Sequence, residues 1–270
     1  MKNYNSYLLK RTFFLLTIFI IFLSLIIFTF YQFIYESEDI KLKDLVVFFS
    51  LFFPIETSKD FIVELLKNVW ITISIATVSL FISTLISLPL GIVLSRTLSG
   101  SVIYKNKKNI ESYSRIFLRL NLIICRTIPE LIIALLLIRL IGLGVNAGVL
   151  SIVIVFTGFM SKVFVEIIDS TNPIPAENLI KNGVGRINAF IYGTLPQCSK
   201  DITSYLIFRW ECAIRTSLVL GIVGAGGLGQ QIEFAIKMMA LHEVSSMLIA
   251  LCFLVFLCDQ FSSLVRKVFC

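Results

Sequence analysis

Apolar residues in this chain fall in long unbroken blocks. Five blocks stand out: Thr12–Ile34, Val69–Leu94, Ile116–Ile141, Asn146–Ile168 and Val244–Val265. A helix that crosses a bilayer needs about 20 mostly apolar residues, and each block meets that length. Stripes that line a soluble core are shorter and recur with a helical or strand period. The pattern therefore predicts an all-α integral membrane protein. A sixth block, Ser199–Gly221, is interrupted by Asp201, Arg209, Glu211 and Arg215, so hydropathy alone leaves its crossing open. The first block follows Lys10 and Arg11 and ends in Phe-Tyr-Gln-Phe-Ile-Tyr. It is longer than the ~7–15-residue apolar region of a cleaved signal, and a retained first helix is expected.

Charge placement decides the sixth crossing. Lys and Arg concentrate in short cytoplasmic loops. The N-terminus holds Lys2, Lys10 and Arg11. The second connection holds Arg96, Lys105, Lys107, Lys108, Arg115 and Arg119 against a single acid, Glu111, and the C-terminus holds Arg266 and Lys267. The first connection is acidic, with Glu36, Glu38, Asp39, Asp44, Glu56, Asp60 and Glu64 against four lysines. Both termini are thus expected inside, which requires an even number of crossings, about six. Residues 1–67 are expected to form a first helix, an external connection and an interfacial segment at Lys41–Pro54. Residues 68–270 then form a five-helix core with a cytoplasmic loop at 169–198.

Composition agrees and narrows the chemistry. Of 270 residues, 57% are hydrophobic and 15% charged, where a soluble domain carries about 25% charged residues. The net charge of +7 belongs to loops beside anionic headgroups, and no base-reading surface argues for nucleic acid. The six cysteines show no CxxC pair, and His242 is the only histidine. Neither a metal site nor a Ser–His dyad is expected, so no catalytic residue and no cofactor is assigned. The absence of G-x-x-x-x-G-K-[ST] excludes the usual phosphate loop, and any ATP-derived energy must come from another subunit.

Ionisable side chains inside a membrane mark function by default, because each costs several kcal/mol. Arg126 and Glu130 are four residues apart, as are Glu211 and Arg215, and that spacing places each pair on one face of a helix. Pro129 breaks the hydrogen-bond ladder beside the first pair. Two readings stand: ion pairs that steady kinked helices, or a route for an anion lined by Arg126, Arg209 and Arg215, whose planar forks suit oxyanions. Further on, Gly224, Gly226 and Gly229 fit GxGxxG, but that fingerprint requires a strand before it, and here a membrane segment precedes it. With Gly227, these glycines are expected either to let helices approach closely or to bend the chain near the outer end of a pore.

The segment between the fourth and fifth spans, Asn172–Pro196, predicts a short helix. Pro175 suits its opening, Glu177 its first turn, and Gly183 its termination; Leu195-Pro196 then leads back to the membrane. Glu177, Gly183, Leu195 and Pro196 sit at the spacings of the "EAA" signature of ABC-importer permeases, which the chain resembles. Asn178 and Leu179 stand where that signature has alanines, and Gly193 where it has isoleucine. The resemblance implies a type I importer-like fold in which Pro175–Gly183, including Ala176, contacts a cytoplasmic ATPase. It further implies two ATPase subunits, pairing of this chain with itself around a pore, and a periplasmic or surface-tethered solute-binding protein. Over roughly Asn68–Phe269 the likeness narrows to phosphonate-type permeases. It is carried by Leu88-Pro-Leu-Gly91, Arg126-Thr-Ile-Pro-Glu130, Gly142-Leu-Gly144, Leu195-Pro-Gln197, Phe208-Arg-Trp-Glu-Cys-Ala-Ile-Arg215 and the glycine run from Leu220. It implies a phosphorus oxyanion as cargo. Permeases for methionine or betaine share the glycine run, and a membrane-embedded lipid or phosphoester enzyme is the alternative from another class.

Overall fold

The computed structural model describes residues 15–17, 19–32, 50–95 and 110–269. Lys2, Lys10, Arg11, residues 41–49 of the expected interfacial segment, and Arg96, Lys105, Lys107 and Lys108 lie outside the described residues. The chain divides into two units, Met1–Phe53 and Pro54–Cys270. The first contains helix α1 (Leu15–Gln32), an apolar segment long enough to span, in which none of the described residues is buried. Side chains such as Phe22 and Phe28 stand open, as they must if lipid is their solvent.

The second unit is helical throughout, and no strand occurs among the described residues. It comprises α2 (Lys59–Leu94), α3 (Ile110–Thr127), α4 (Glu130–Ile141), α5 (Val145–Ser170), α6 (Ile174–Lys181), α7 (Arg186–Ala189), α8 (Leu195–Leu220), α9 (Gly227–Lys237) and α10 (Leu241–Phe269). Single π-helical turns, Phe190–Thr194 and Gly221–Ala225, lead into and out of α8. Helix α2 has 36 residues, about 54 Å at 1.5 Å per residue. It starts ten residues before the apolar block at Val69, so its polar opening (Lys59, Asp60, Glu64, Lys67) extends beyond the hydrocarbon.

Helix α5 is the centre of the unit. Its Ile152, Phe156, Met160, Phe164 and Ile168 are fully buried. Helix α2 turns a stripe of small residues to the interior: Thr72, Ala76, Ser79, Ser83, Ser87 and Gly91. Small side chains let helices meet closely where lipid gives no hydrophobic drive for association. The serine hydroxyls are satisfied within α2. Ser79 donates to the carbonyl of Ile75 at 2.6 Å and Ser83 to that of Ser79 at 2.7 Å, the back-bonding available to Ser and Thr inside helices.

By length and composition, α1, α2, α5 and α10 can each cross a membrane. The other two crossings are broken. Ile116–Thr127 and Glu130–Ile141 meet at 89°, and Arg186–Ala225 meets Gly227–Lys237 at 51°. Counting each bent pair once gives the six crossings expected, but the third block is not one continuous helix. Pro129 carries no amide proton and disfavours helical geometry for Ile128. The chain turns there, and α4 restarts from the Pro129 carbonyl, which accepts from the Ile132 amide at 3.0 Å.

The glycine run produces the second break. Gly224 adopts φ +105°, open to glycine at little cost and strained for other residues. Its carbonyl accepts from the Gly144 amide at 3.0 Å, tying the break to the start of α5. Gly226 and Gly227 also have positive φ, and Gly229 lies against the backbone of Gly221. The glycine run therefore both bends the chain and allows close backbone packing. Thr72 of α2 completes the junction: its Oγ1 accepts from the Leu228 amide at 2.9 Å, satisfying an orphan donor in the first turn of α9. Asn68 donates to Gln231 at 2.9 Å, and Ser217 donates to the Thr72 carbonyl at 3.2 Å.

Candidate functional site: a charged cleft and a pinned terminal helix

Helix α6 is built largely as its residues predict. The Asn172 side chain accepts from the Ile174 amide at 3.1 Å, Pro175 sits in the first turn, and Glu177 is the acid of that turn. At the far end Gly183 has φ +86°. Its amide donates to Ile180 and that of Val184 to Leu179, both at 3.0 Å, which is the Schellman arrangement. Ala176 is buried, Glu177 half-buried, and Pro175 and Gly183 exposed.

Gly193 explains how this helix is held. A Cβ built there would stand 2.8 Å from Ala176 Cα and 2.9 Å from its nitrogen. The π-helical turn before α8 thus lies directly on the backbone of α6. Gln197 reinforces the junction, donating to the Gly193 carbonyl at 2.5 Å and to that of Asn172 at 3.4 Å. Leu195 and Pro196 open α8, with Pro in the first turn. Helix α6 and the lead-in to α8 are thus in direct backbone contact.

The membrane charges divide into two groups. Arg126, Glu130 and Arg215 line one open cleft of about 540 Å³ with Thr127, Thr216 and Phe159. The expectation that Arg126 and Glu130 form a pair on one helix face does not hold, because the 89° bend separates them: Arg126 ends α3 and Glu130 begins α4. Glu130 instead shares the cleft with Thr216 and Arg215 of α8. Arg209 lies among the rings of α5. Its guanidinium carbon is 4.3 Å from the Phe156 ring centre and 4.9 Å from that of Phe159, a cation–π arrangement. Nε and Nη2 are buried without a hydrogen-bond partner.

Glu211 and Arg215 form the expected i,i+4 ion pair. The Glu211 side chain is only 8% exposed, and its other oxygen lies 4.0 Å from Arg266 of α10. Arg266 also donates to the Ser262 hydroxyl at 3.1 Å. Glu211 therefore orients Arg215, whose side chain remains 51% exposed toward the cleft, and ties α8 to α10. Sequence reasoning did not single out Phe156, Phe159 or Thr216, which set the surroundings of Arg209 and Glu130.

The chain belongs to the family of binding-protein-dependent transport system inner membrane components, whose model matches residues 87–269. It is 33% identical over 144 residues to the phosphite transport system permease protein PtxC of Stutzerimonas stutzeri, covering 53% of this chain and 52% of the relative. It is 35% identical over 141 residues to the putative phosphite transport system permease protein HtxE of the same organism, covering 52% and 54% respectively. The chain spans about half the length of these relatives. A solved structure of the MetNI methionine ABC transporter, inward facing, matches with a TM-score of 0.66 and 19% identity. That match covers 79% of this chain and 100% of the other and establishes likeness of fold. The chain is accordingly a multi-pass inner-membrane component with an ABC-importer permease fold.

Proposed function

We propose that this subunit forms the membrane path of an ATP-driven importer for a phosphorus oxyanion such as phosphonate, phosphite or phosphate. The observation that carries this reading is the cleft at the α3–α4 break, where Arg126 and Arg215 flank Glu130. The two guanidinium groups supply forked donors for tetrahedral oxygens, while Glu130 keeps the local excess of positive charge small. Such a site holds an anion briefly and lets it go, as transport requires. The names of the phosphite permeases above support the same substrate class.

The partners follow from the family and from α6. A separate ATPase docks on Pro175–Gly183, and its closure is transmitted through the Ala176–Gly193 contact and Leu195-Pro196 to α8. A solute-binding protein delivers the cargo at the opposite end, and a second copy of the chain completes the pore. Helix α6 faces the cytoplasm.

The test is uptake into proteoliposomes containing this subunit, its cognate ATPase and its binding protein, with labelled phosphonate, phosphite, phosphate and methionine compared. ATP-dependent uptake of a phosphorus oxyanion that needs all three components is the expected result. Uptake of methionine alone removes the oxyanion reading and keeps the importer. Uptake without ATP removes the importer reading itself.

A further inference from the structure

A second charged crevice lies beside the first, toward the end of the bundle that carries α6. It is a half-open space of about 330 Å³ between α2, α3 and α5. Its charged lining is Arg119, Arg126, Lys162, Glu166 and Asp169. Arg126 lines both clefts, so the two spaces share one residue.

Their order along the bundle is fixed by Gly158. A Cβ at Gly158 would stand 3.0 Å from the Leu122 carbonyl oxygen and 3.2 Å from the Arg126 nitrogen, so α5 at Gly158 is level with α3 at Arg126. The two helices run in opposite directions, and helical rise sets the remaining depths. Lys162 lies about 6 Å closer to the α6 end than Arg126, Arg119 about 10 Å, Glu166 about 12 Å and Asp169 about 16 Å. Of these four, Lys162 lies deepest and Asp169 nearest the mouth, with Arg119 and Glu166 at nearly one level between them. Two of the cations are partly engaged: Arg119 donates to the Leu94 carbonyl at 3.2 Å, and Lys162 stands 3.3 Å from Glu166 across an exposed pair.

We propose that this crevice is a second, weaker oxyanion station on the release side, to which Arg126 passes the anion from the cleft at the α3–α4 break. The proposal rests on the reading of the chain as an oxyanion permease. Arg126 holds the anion at the junction, and Lys162 and Arg119 offer the next donors. Glu166, paired with Lys162 at 3.3 Å, competes with the anion for that ammonium group. The Glu166 carboxylate on Lys162 and the Leu94 carbonyl on Arg119 take up part of their donor capacity, which keeps binding weak, as release demands. The ligand chemistry is a tetrahedral phosphoryl oxyanion, and a phospholipid headgroup presents the same group.

The experiment loads proteoliposomes of the complete transporter with increasing inorganic phosphate and measures initial ATP-driven uptake of labelled oxyanion. Vesicles of phosphatidylcholine alone are compared with vesicles containing phosphatidylglycerol. Lumenal phosphate is expected to slow uptake. Combining Arg119→Gln with Lys162→Gln should raise the half-inhibiting concentration about tenfold, the loss of two modest charge contacts, in both lipids. Arg119→Lys with Lys162→Arg preserves the charges and should keep the wild-type midpoint, which separates loss of charge from loss of folding. An unchanged midpoint in the neutral variant overturns the station. A variant that alters only the response to phosphatidylglycerol assigns the crevice to lipid and also overturns it. If the wild type moves no oxyanion under any condition, the proposed function itself fails, a result distinct from transport with an unshifted midpoint.

Discussion

Gly193→Ala is the most informative single change, because it adds one methyl group where the structure has no room. The new Cβ would lie 2.8 Å from Ala176 Cα, 2.9 Å from its nitrogen and 3.1 Å from its Cβ. Carbon atoms settle at about 3.5–4.0 Å, so α6 must retreat by roughly 0.7 Å or the π-helical turn must deform. Overpacking of this kind costs about 1–3 kcal/mol, which is about 5- to 150-fold in the population of the seated helix at ~1.4 kcal/mol per tenfold. Hydrogen exchange reads the effect directly: amides in Ile174–Lys181 should lose protection by that factor while those of α5 keep theirs. In the reconstituted transporter, uptake per ATP hydrolysed should fall in the same direction. Combining the change with Ala176→Gly should restore little, since the closest atoms are backbone. Unchanged exchange in Gly193→Ala, or full recovery in the double variant, refutes the claim that this backbone contact holds α6 in place.

Thr72→Val leaves the buried Leu228 amide without its acceptor and should lower thermal stability in nanodiscs by about 1–3 kcal/mol, whereas Thr72→Ser should remain near wild type. Glu211→Gln removes the carboxylate shared by Arg215 and Arg266 and should destabilise the α8–α10 packing by about 1–3 kcal/mol. Adding Arg215→Gln should recover part of that loss in a double-mutant cycle, and strict additivity would show that the pair is not coupled. Arg215→Gln alone should abolish oxyanion uptake while the subunit still copurifies with its ATPase; normal uptake would remove Arg215 from the route.

The spans and α6 were legible because their causes are local. Twenty apolar residues announce a crossing whatever surrounds them, and Pro175, Glu177 and Gly183 act on their own backbone. The 89° bend was not legible in angle. Pro129 marks a disrupted ladder, but hydropathy has no direction, so Ile116–Ile141 reads as one span and Arg126 with Glu130 as one face. Glu211 and Arg215 formed the expected pair because no break lies between them. The setting of Arg209 was hidden for another reason: its neighbours Phe156 and Phe159 lie about fifty residues away, and phenylalanines in an apolar block look alike. Gly193 was visible only as a departure from a signature, and its meaning depended on what lies opposite, Ala176. Lys162 and Glu166 were visible within the fourth block, but nothing in the sequence placed Arg119 beside them.

The polar groups of α2 divide its mechanical properties along its length. Near the glycine break, Asn68, Thr72 and Thr77 bond to other elements, with Thr77 accepting from Trp210 of α8 at 3.1 Å; these links have direction and resist any shift. Farther along, Ser79 and Ser83 use their hydroxyls on their own helix, and what they present to α5 is a smooth, low-relief flank. Dispersion across such a flank opposes separation far more than it opposes sliding, because small steps trade one set of equivalent contacts for another. Helix α2 is thus built like a rod clamped at one end and running in a bearing along its shank. Small displacements at the α6 end can proceed as shear without breaking a hydrogen bond between these rungs.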